Sequence, residues 1–119
     1  MKLPNGADAV VDIEKLRDYC LSRSHPLGRH KARVFEAALG LAAPDAFILQ
    51  LALLQAASRE DAVPSVTDSF GTRYSIGFEL QWNQRSAYIQ SAWIVRAGES
   101  NPRFLTCYVV KVGANANNQ

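Results

Sequence analysis

The segment that decides the fold is residues 74–82, which read YSIGFELQW. Aromatic or aliphatic side chains stand at every second position and are separated by serine, glycine, glutamate and glutamine. This period of two is typical of a β-strand with one buried face and one face in solvent. The alternation therefore predicts a strand over residues 74–82.

Further strands are predicted on both sides of this segment. Residues 86–96 and 103–111 read as two more strands, separated by short turns. Consecutive strands with such short connections pair in antiparallel order. Residues 62–66 are predicted to add an edge strand, because Pro64 lacks the N–H group that a central strand must donate.

Three helices are predicted before the strands, at about residues 12–22, 29–39 and 44–58. Gly40 is placed just after the second helix, where a left-handed residue commonly ends a helix. The third helix is apolar on nearly all sides, which indicates a core position or an oligomer interface. We predict an α+β fold in which about three N-terminal helices pack on a C-terminal antiparallel meander of three to four strands.

Length and composition bound the class of protein. The chain has 119 residues, of which 48% are hydrophobic and 20% charged, as expected for one globular domain. We assign residues 1–112 to this domain and predict a disordered polar tail at 113–119. The longest apolar stretch, residues 46–57, is too short to span a bilayer, and the first residues do not read as a secretory signal. We therefore expect a cytoplasmic protein with no membrane partner.

The cysteine and histidine content gives no sign of a metal site. The two cysteines and two histidines are scattered at spacings that match no metal-ligand pattern. Cys20 and Cys107 are predicted to be buried free thiols. The sequence also contains no phosphate-binding glycine loop and no G-x-S-x-G motif. We expect neither a metal nor another cofactor.

The most unusual stretch is residues 25–35, which read HPLGRHKARVF. On a helical wheel the predicted buried face consists of Val34, Phe35, Ala38 and Leu39. Lys31 falls near the middle of this face, whereas Arg29 and Arg33 point towards solvent. A lysine on an inward face has three alternatives. Its amine extends past the core to solvent, pairs with an acidic side chain, or belongs to a functional site.

Side chains suited to chemistry lie near this helix start and on the last strand. His25 and His30 flank the helix start, and histidine is the natural proton carrier near neutral pH. Thr106 and Tyr108 are predicted to share a strand face with Phe104 and Val110, where hydroxyls need partners within the fold or bind a phosphate. The candidate catalytic residues are His25, His30, Lys31, Thr106 and Tyr108. The candidate phosphate-binding residues are Arg29, Lys31 and Arg33.

Five stretches carry a resemblance to a known family: residues 2–5, 15–21, 25–35 apart from Leu27, 91–95 and 102–109. On these stretches the chain resembles small bacterial proteins catalogued as a domain of unknown function. They occur alone, often beside a second small gene. Related modules form the C-terminal parts of large polymorphic or phage-like toxins. The predicted fold is also similar to that of the barnase–EndoU–colicin–RelE ribonucleases, which cleave RNA without a metal. The resemblance implies a role in a toxin system.

Three functions remain open at this point, so whether the chain is an enzyme is undecided. The first is an interaction module that binds a partner protein from a neighbouring gene, and the apolar third helix also indicates a homodimer. The second is a metal-independent ribonuclease, in which one histidine takes the 2′-hydroxyl proton, Lys31 stabilises charge on the phosphate and the other histidine protonates the leaving oxygen. The third is RNA or other nucleic-acid binding without cleavage.

Overall fold

The computed structural model describes residues 1–112, in which helices are followed by a four-stranded antiparallel sheet. The helices are α1 (Ile13–Lys15), α2 (Arg29–Leu39) and α3 (Ala46–Arg59). The strands are β1 (Val63–Asp68), β2 (Gly71–Trp82), β3 (Arg85–Arg96) and β4 (Arg103–Val112), and their order in the sheet follows the chain. The α+β class and the meander are confirmed. The predicted tail, residues 113–119, lies outside the described residues.

The helices depart from the predicted pattern at two places. α2 has the predicted bounds, and Gly40 ends it in the left-handed conformation with a φ of 73°. The first predicted helix is instead a short α1 followed by a π-helical turn, Leu16–Cys20, in which the Leu21 N–H donates to the Leu16 carbonyl oxygen at 2.8 Å. α3 is preceded by a 3₁₀ turn, Ala43–Asp45, and begins two residues later than predicted.

The register between β3 and β4 shifts next to Trp93. Trp93 pairs with Phe104, whereas the neighbouring Ala92 pairs with Thr106, so Leu105 is an additional residue on β4. Such a bulge breaks the alternation of side chains along the strand.

The bulge overturns one predicted strand face. Phe104 is buried in the core, whereas Tyr108 and Val110 are exposed, so the prediction that Phe104 shares their face is wrong. Thr106 and Tyr108 keep a common face, because no further shift separates the residues that pair with them.

The core lies between the helices and the sheet. Its fully buried side chains include Phe35 from α2, Leu49 and Leu53 from α3, Ile76 from β2 and Trp93 from β3. These residues form one cluster, so a single core holds both halves of the chain together.

The outer surfaces of α2 and α3 are partly apolar. On α3, Phe47 and Leu51 are 57% and 56% exposed, so only one side of this helix is core. On α2, Val34 is 43% exposed. Its predicted burial is wrong, because the buried stripe runs through Ala32 and Phe35 instead.

No helix in residues 1–112 is by itself long and apolar enough to cross a membrane. The segments 29–39 and 43–59 reach that length and composition only together, across a bend of 74°.

One buried hydroxyl organises the middle of the sheet. Ser91 Oγ donates to the Ile76 carbonyl oxygen at 2.8 Å and accepts a hydrogen bond from Trp93 Nε1 at 2.9 Å. The inward hydroxyl of Ser91 therefore has its partners within the fold.

We expect Ser91→Ala to lower the free energy of unfolding by about 1–3 kcal/mol, because it leaves the Trp93 indole N–H buried and unpaired. Urea unfolding measures this change. Ser65→Ala is the control: the exposed Ser65 hydroxyl donates to the Arg73 carbonyl oxygen, and its loss should cost less than about 0.5 kcal/mol. Equal losses of unfolding free energy in the two variants would contradict the role of Ser91 as the buried partner of the Trp93 indole.

Candidate functional site

The Lys31 ammonium group lies where α2, the π-helical turn and β4 meet. Its Nζ donates hydrogen bonds to the Tyr19 hydroxyl at 3.1 Å and to Thr106 Oγ1 at 3.0 Å. Nζ also lies 4.8 Å from the centroid of the Tyr19 ring, within the range of a cation–π contact. Three segments that are far apart in the sequence thus converge on one cation.

Among the residues that the structure describes, this cation has hydroxyl partners and no carboxylate partner. Within residues 1–112, Lys31 takes part in none of the ion pairs, and the first turn of α2 contains no acidic residue. An ammonium group has three N–H donors. Two are used by Tyr19 and Thr106, which leaves one for a ligand.

The loop before α2 is packed closely against Tyr19. A Cβ atom on Gly28 would collide with the Tyr19 carbonyl oxygen, so only glycine fits at this approach. His25 Nδ1 accepts hydrogen bonds from the Leu27 and Gly28 N–H groups, both at 3.0 Å. The His25 ring contacts the Tyr19 ring edge-on, with 4.8 Å between centroids. These contacts fix Tyr19 beneath Lys31.

An open pocket of about 300 Å³ adjoins the Lys31 ammonium group. It is lined by His30, Lys31, Val34, Tyr108 and Val109. Tyr108 is 45% exposed, and Val34 and His30 are also exposed. The pocket therefore combines apolar surface, a cation and an imidazole.

The structure brings together four of the five candidate catalytic residues. His30, Lys31 and Tyr108 line the pocket, and Thr106 binds the Lys31 amine. His25 contacts Tyr19 and is not among the residues that line the pocket.

The candidate phosphate-binding residues do not converge in the same way. Arg29 and Arg33 are exposed on α2 and lie outside the set that lines the pocket with Lys31. Their role in binding phosphate stays a prediction.

Two thiols lie directly behind Thr106. Cys20 and Cys107 are both free and buried, as predicted. Cys20 Sγ lies 3.8 Å from Thr106 Oγ1. The hydrogen bond from the Cys107 thiol lowers the pKa of Cys20 to about 6, with a smaller contribution from the charge of Lys31. Burial raises the pKa of Cys107 well above its usual value.

Sequence reasoning missed Tyr19 and the meeting of the two thiols. Tyr19 lies in one of the stretches that carry the family resemblance, which was the one signal that could have found it. Its neighbour Asp18 accepts a hydrogen bond from Arg17. Cys20 and Cys107 are far apart in the sequence, and no local pattern indicates that they approach each other.

Comparisons with known proteins identify a family and a fold. The family described as "Domain of unknown function (DUF6883)" matches residues 2–111. No curated protein matches the chain. Among solved structures, the chain is similar to one in the "Contact-dependent growth inhibition toxin - immunity protein complex from Klebsiella pneumoniae 342", with 21% identity and a TM-score of 0.63. The match covers 88% of this chain and 96% of that chain, and at this identity it shows a shared fold.

The stability of the folded chain should rise with pH between about 6 and 9, because Cys20 is ionised in the folded state and protonated in the unfolded state over this window. This contribution is lost as the pH falls through about 6. Melting temperatures measured across the window should rise less in Cys20→Ser than in the natural chain. Cys107→Ala removes the main cause of the low pKa of Cys20. In this variant the rise in stability should therefore begin at a higher pH. Identical pH profiles in all three proteins would contradict an ionised Cys20.

Proposed function

The chain belongs to the family of domains of unknown function DUF6883, and we propose that it is a toxin-system module that cleaves RNA without a metal ion. The observation that carries this proposal is the Lys31 ammonium group, which is held by Tyr19 and Thr106 at an open pocket that also contains His30. A fixed cation beside a proton carrier is the minimum that such cleavage requires.

The proposed reaction is attack of an RNA 2′-hydroxyl on the adjacent phosphorus. His30 takes the 2′-hydroxyl proton, the new P–O bond forms, and the bond to the 5′-oxygen breaks. A water molecule from solvent donates a proton to the leaving 5′-oxygen, and the hydroxide that remains takes up the proton held by His30, so the imidazole is neutral again. The unused N–H of Lys31 donates to a non-bridging oxygen, where negative charge grows in the transition state.

Tyr19, Thr106 and His25 are assigned positioning roles. Tyr19 and Thr106 orient the Lys31 amine, and His25 holds Tyr19 in place. A cation held in this way needs little rearrangement when charge develops on the phosphate. His25 is therefore assigned to support the site, and proton transfer is assigned to His30 alone.

The fold supports the association with a toxin system. The solved chain with the same fold comes from a complex of a toxin with its immunity protein. Metal-free chemistry is supported by the site itself, since the groups around the pocket are an amine, hydroxyls and an imidazole.

Lys31→Met should lower kcat for RNA cleavage by roughly 10²- to 10³-fold, the usual cost of removing one donor that stabilises transition-state charge. Cleavage of labelled RNA in the presence of a chelator measures this, and His30→Ala should also abolish most activity. Lys2→Met is the matched control, since Lys2 is exposed and pairs with Asp61 away from the site. Cleavage that requires a divalent metal, or equal activity in the two lysine variants, would contradict the proposal. Salt-sensitive RNA binding without cleavage would favour the nucleic-acid binder instead.

A protein-interaction role is the second candidate, and a separate surface favours it. Phe47 and Leu51 are four residues apart on α3, so they lie on one side of the helix, and both are more than half exposed. Exposed apolar pairs of this kind are typical of binding surfaces. The partner would be the product of a neighbouring gene, and the predicted homodimer would use the same surface.

Leu51→Asp should weaken binding to the neighbouring gene product by roughly 30-fold or more if Leu51 is central to the interface. Titration calorimetry with the purified partner measures the Kd, and sedimentation tests the homodimer with the same variant. Ser65→Asp introduces the same charge at an exposed position on β1, a different element from α3, and should leave the Kd unchanged. An unchanged Kd in both variants would show that α3 is not part of the interface.

A further inference from the structure

The pocket beside Lys31 lies along β4, and N-terminal segments of the chain contact the start of this strand. Val10 pairs with Arg103, and Lys15 Nζ donates to the Phe104 carbonyl oxygen at 2.9 Å. Lys31 then binds Thr106. Two side chains that follow Thr106 on the strand, Tyr108 and Val109, line the pocket.

This part of β4 lies beside an apolar side chain of α2. Tyr108 and Val109 from β4 and Val34 from α2 line one space, and the His30 imidazole and the Lys31 amine complete it. Val34 and Tyr108 remain almost half exposed. The molecule therefore leaves an aromatic ring and aliphatic side chains open to solvent within reach of a cation.

The charge and the size of the pocket restrict its occupant. None of the five lining residues is acidic, and Lys31 has an N–H to spare. The occupant needs a flat apolar body and an anionic group beside it, and a nucleotide has both, because its base presents a π-face and its phosphate is anionic. A volume of about 300 Å³ is at the small end of ligand pockets, which suits one base and not the width of a duplex.

We propose that this pocket binds one unpaired base of the RNA, so that the substrate is single-stranded RNA. This inference rests on the proposed RNA cleavage. The base stacks against the Tyr108 ring, Val34 and Val109 contact its faces and edges, and its phosphate reaches Lys31. Stacking accepts any base, because every base has a π-face. We therefore expect selection for unpaired RNA with little preference among the four bases.

The test uses a short RNA that contains 2-aminopurine, whose fluorescence falls when it stacks. With 2′-O-methyl sugars this RNA cannot be cleaved, so binding is measured separately from chemistry on the whole natural chain. The single strand should bind with quenching, and the same strand annealed to its complement should bind far more weakly. On cleavable RNA, the natural chain should likewise prefer the single strand.

Tyr108→Ala should raise both the Kd for this probe and the KM for cleavage by roughly 5- to 150-fold, the range for losing one base–aromatic stack. Tyr108→Phe, which keeps the aromatic ring, should restore binding. Phe70→Ala is the matched control, because Phe70 is an exposed aromatic residue at the β1–β2 turn.

Two outcomes would overturn the pocket assignment: equal binding of single-stranded and duplex RNA, or a Kd that is the same in Tyr108→Ala and Phe70→Ala. Two further results separate the two proposals. If the probe is quenched through Tyr108 but no RNA is cleaved, base binding stands and the proposed cleavage fails. If RNA is cleaved without any dependence on Tyr108, cleavage stands and the base pocket fails.

Discussion

The arrangement of this molecule depends on how one partly buried ammonium group is satisfied without a carboxylate from the described part of the chain, residues 1–112. Removing a charge from water is costly, and the usual remedy is an acidic partner. Lys31 instead has two hydroxyls and the face of an aromatic ring. Hydroxyls satisfy N–H donors without cancelling the charge, so the cation remains available to an anion in the open pocket.

The buried side of the same cluster helps to offset that cost. Lys31 donates to Thr106 Oγ1, so the Thr106 hydroxyl proton is free to point at Cys20, 3.8 Å away. The Cys107 thiol also lowers the pKa of Cys20 to about 6. The charge of Lys31 also contributes to this low pKa, so the Cys20 thiol and the ammonium group are electrostatically linked.

Structural features that depend on local sequence signals were predicted correctly. Features that depend on hydrogen-bond pairing within a turn or between strands were not. The bounds of α2 and its end at Gly40 follow from helix propensity and a left-handed glycine, and the strand alternation predicted the sheet. A π-helical turn differs from an α-helix by one residue in its hydrogen bonding, and a bulge depends on the partner strand. Neither has a strong local signature, yet the π turn presents Tyr19 and Cys20, and the bulge at Leu105 separates Phe104 from the face of Thr106.

The same reasoning explains why the candidate site was only partly visible in the sequence. A helical wheel placed Lys31 inward correctly, because its direction depends on α2 alone. It placed Val34 wrongly, because the burial of a side chain depends on what packs against it, and the buried stripe of α2 runs through Ala32 and Phe35 instead. Since α3 carries Phe47 and Leu51 on a different element, a partner protein on that helix and RNA at Lys31 would contact different side chains, so the two proposed roles can be separated by single substitutions.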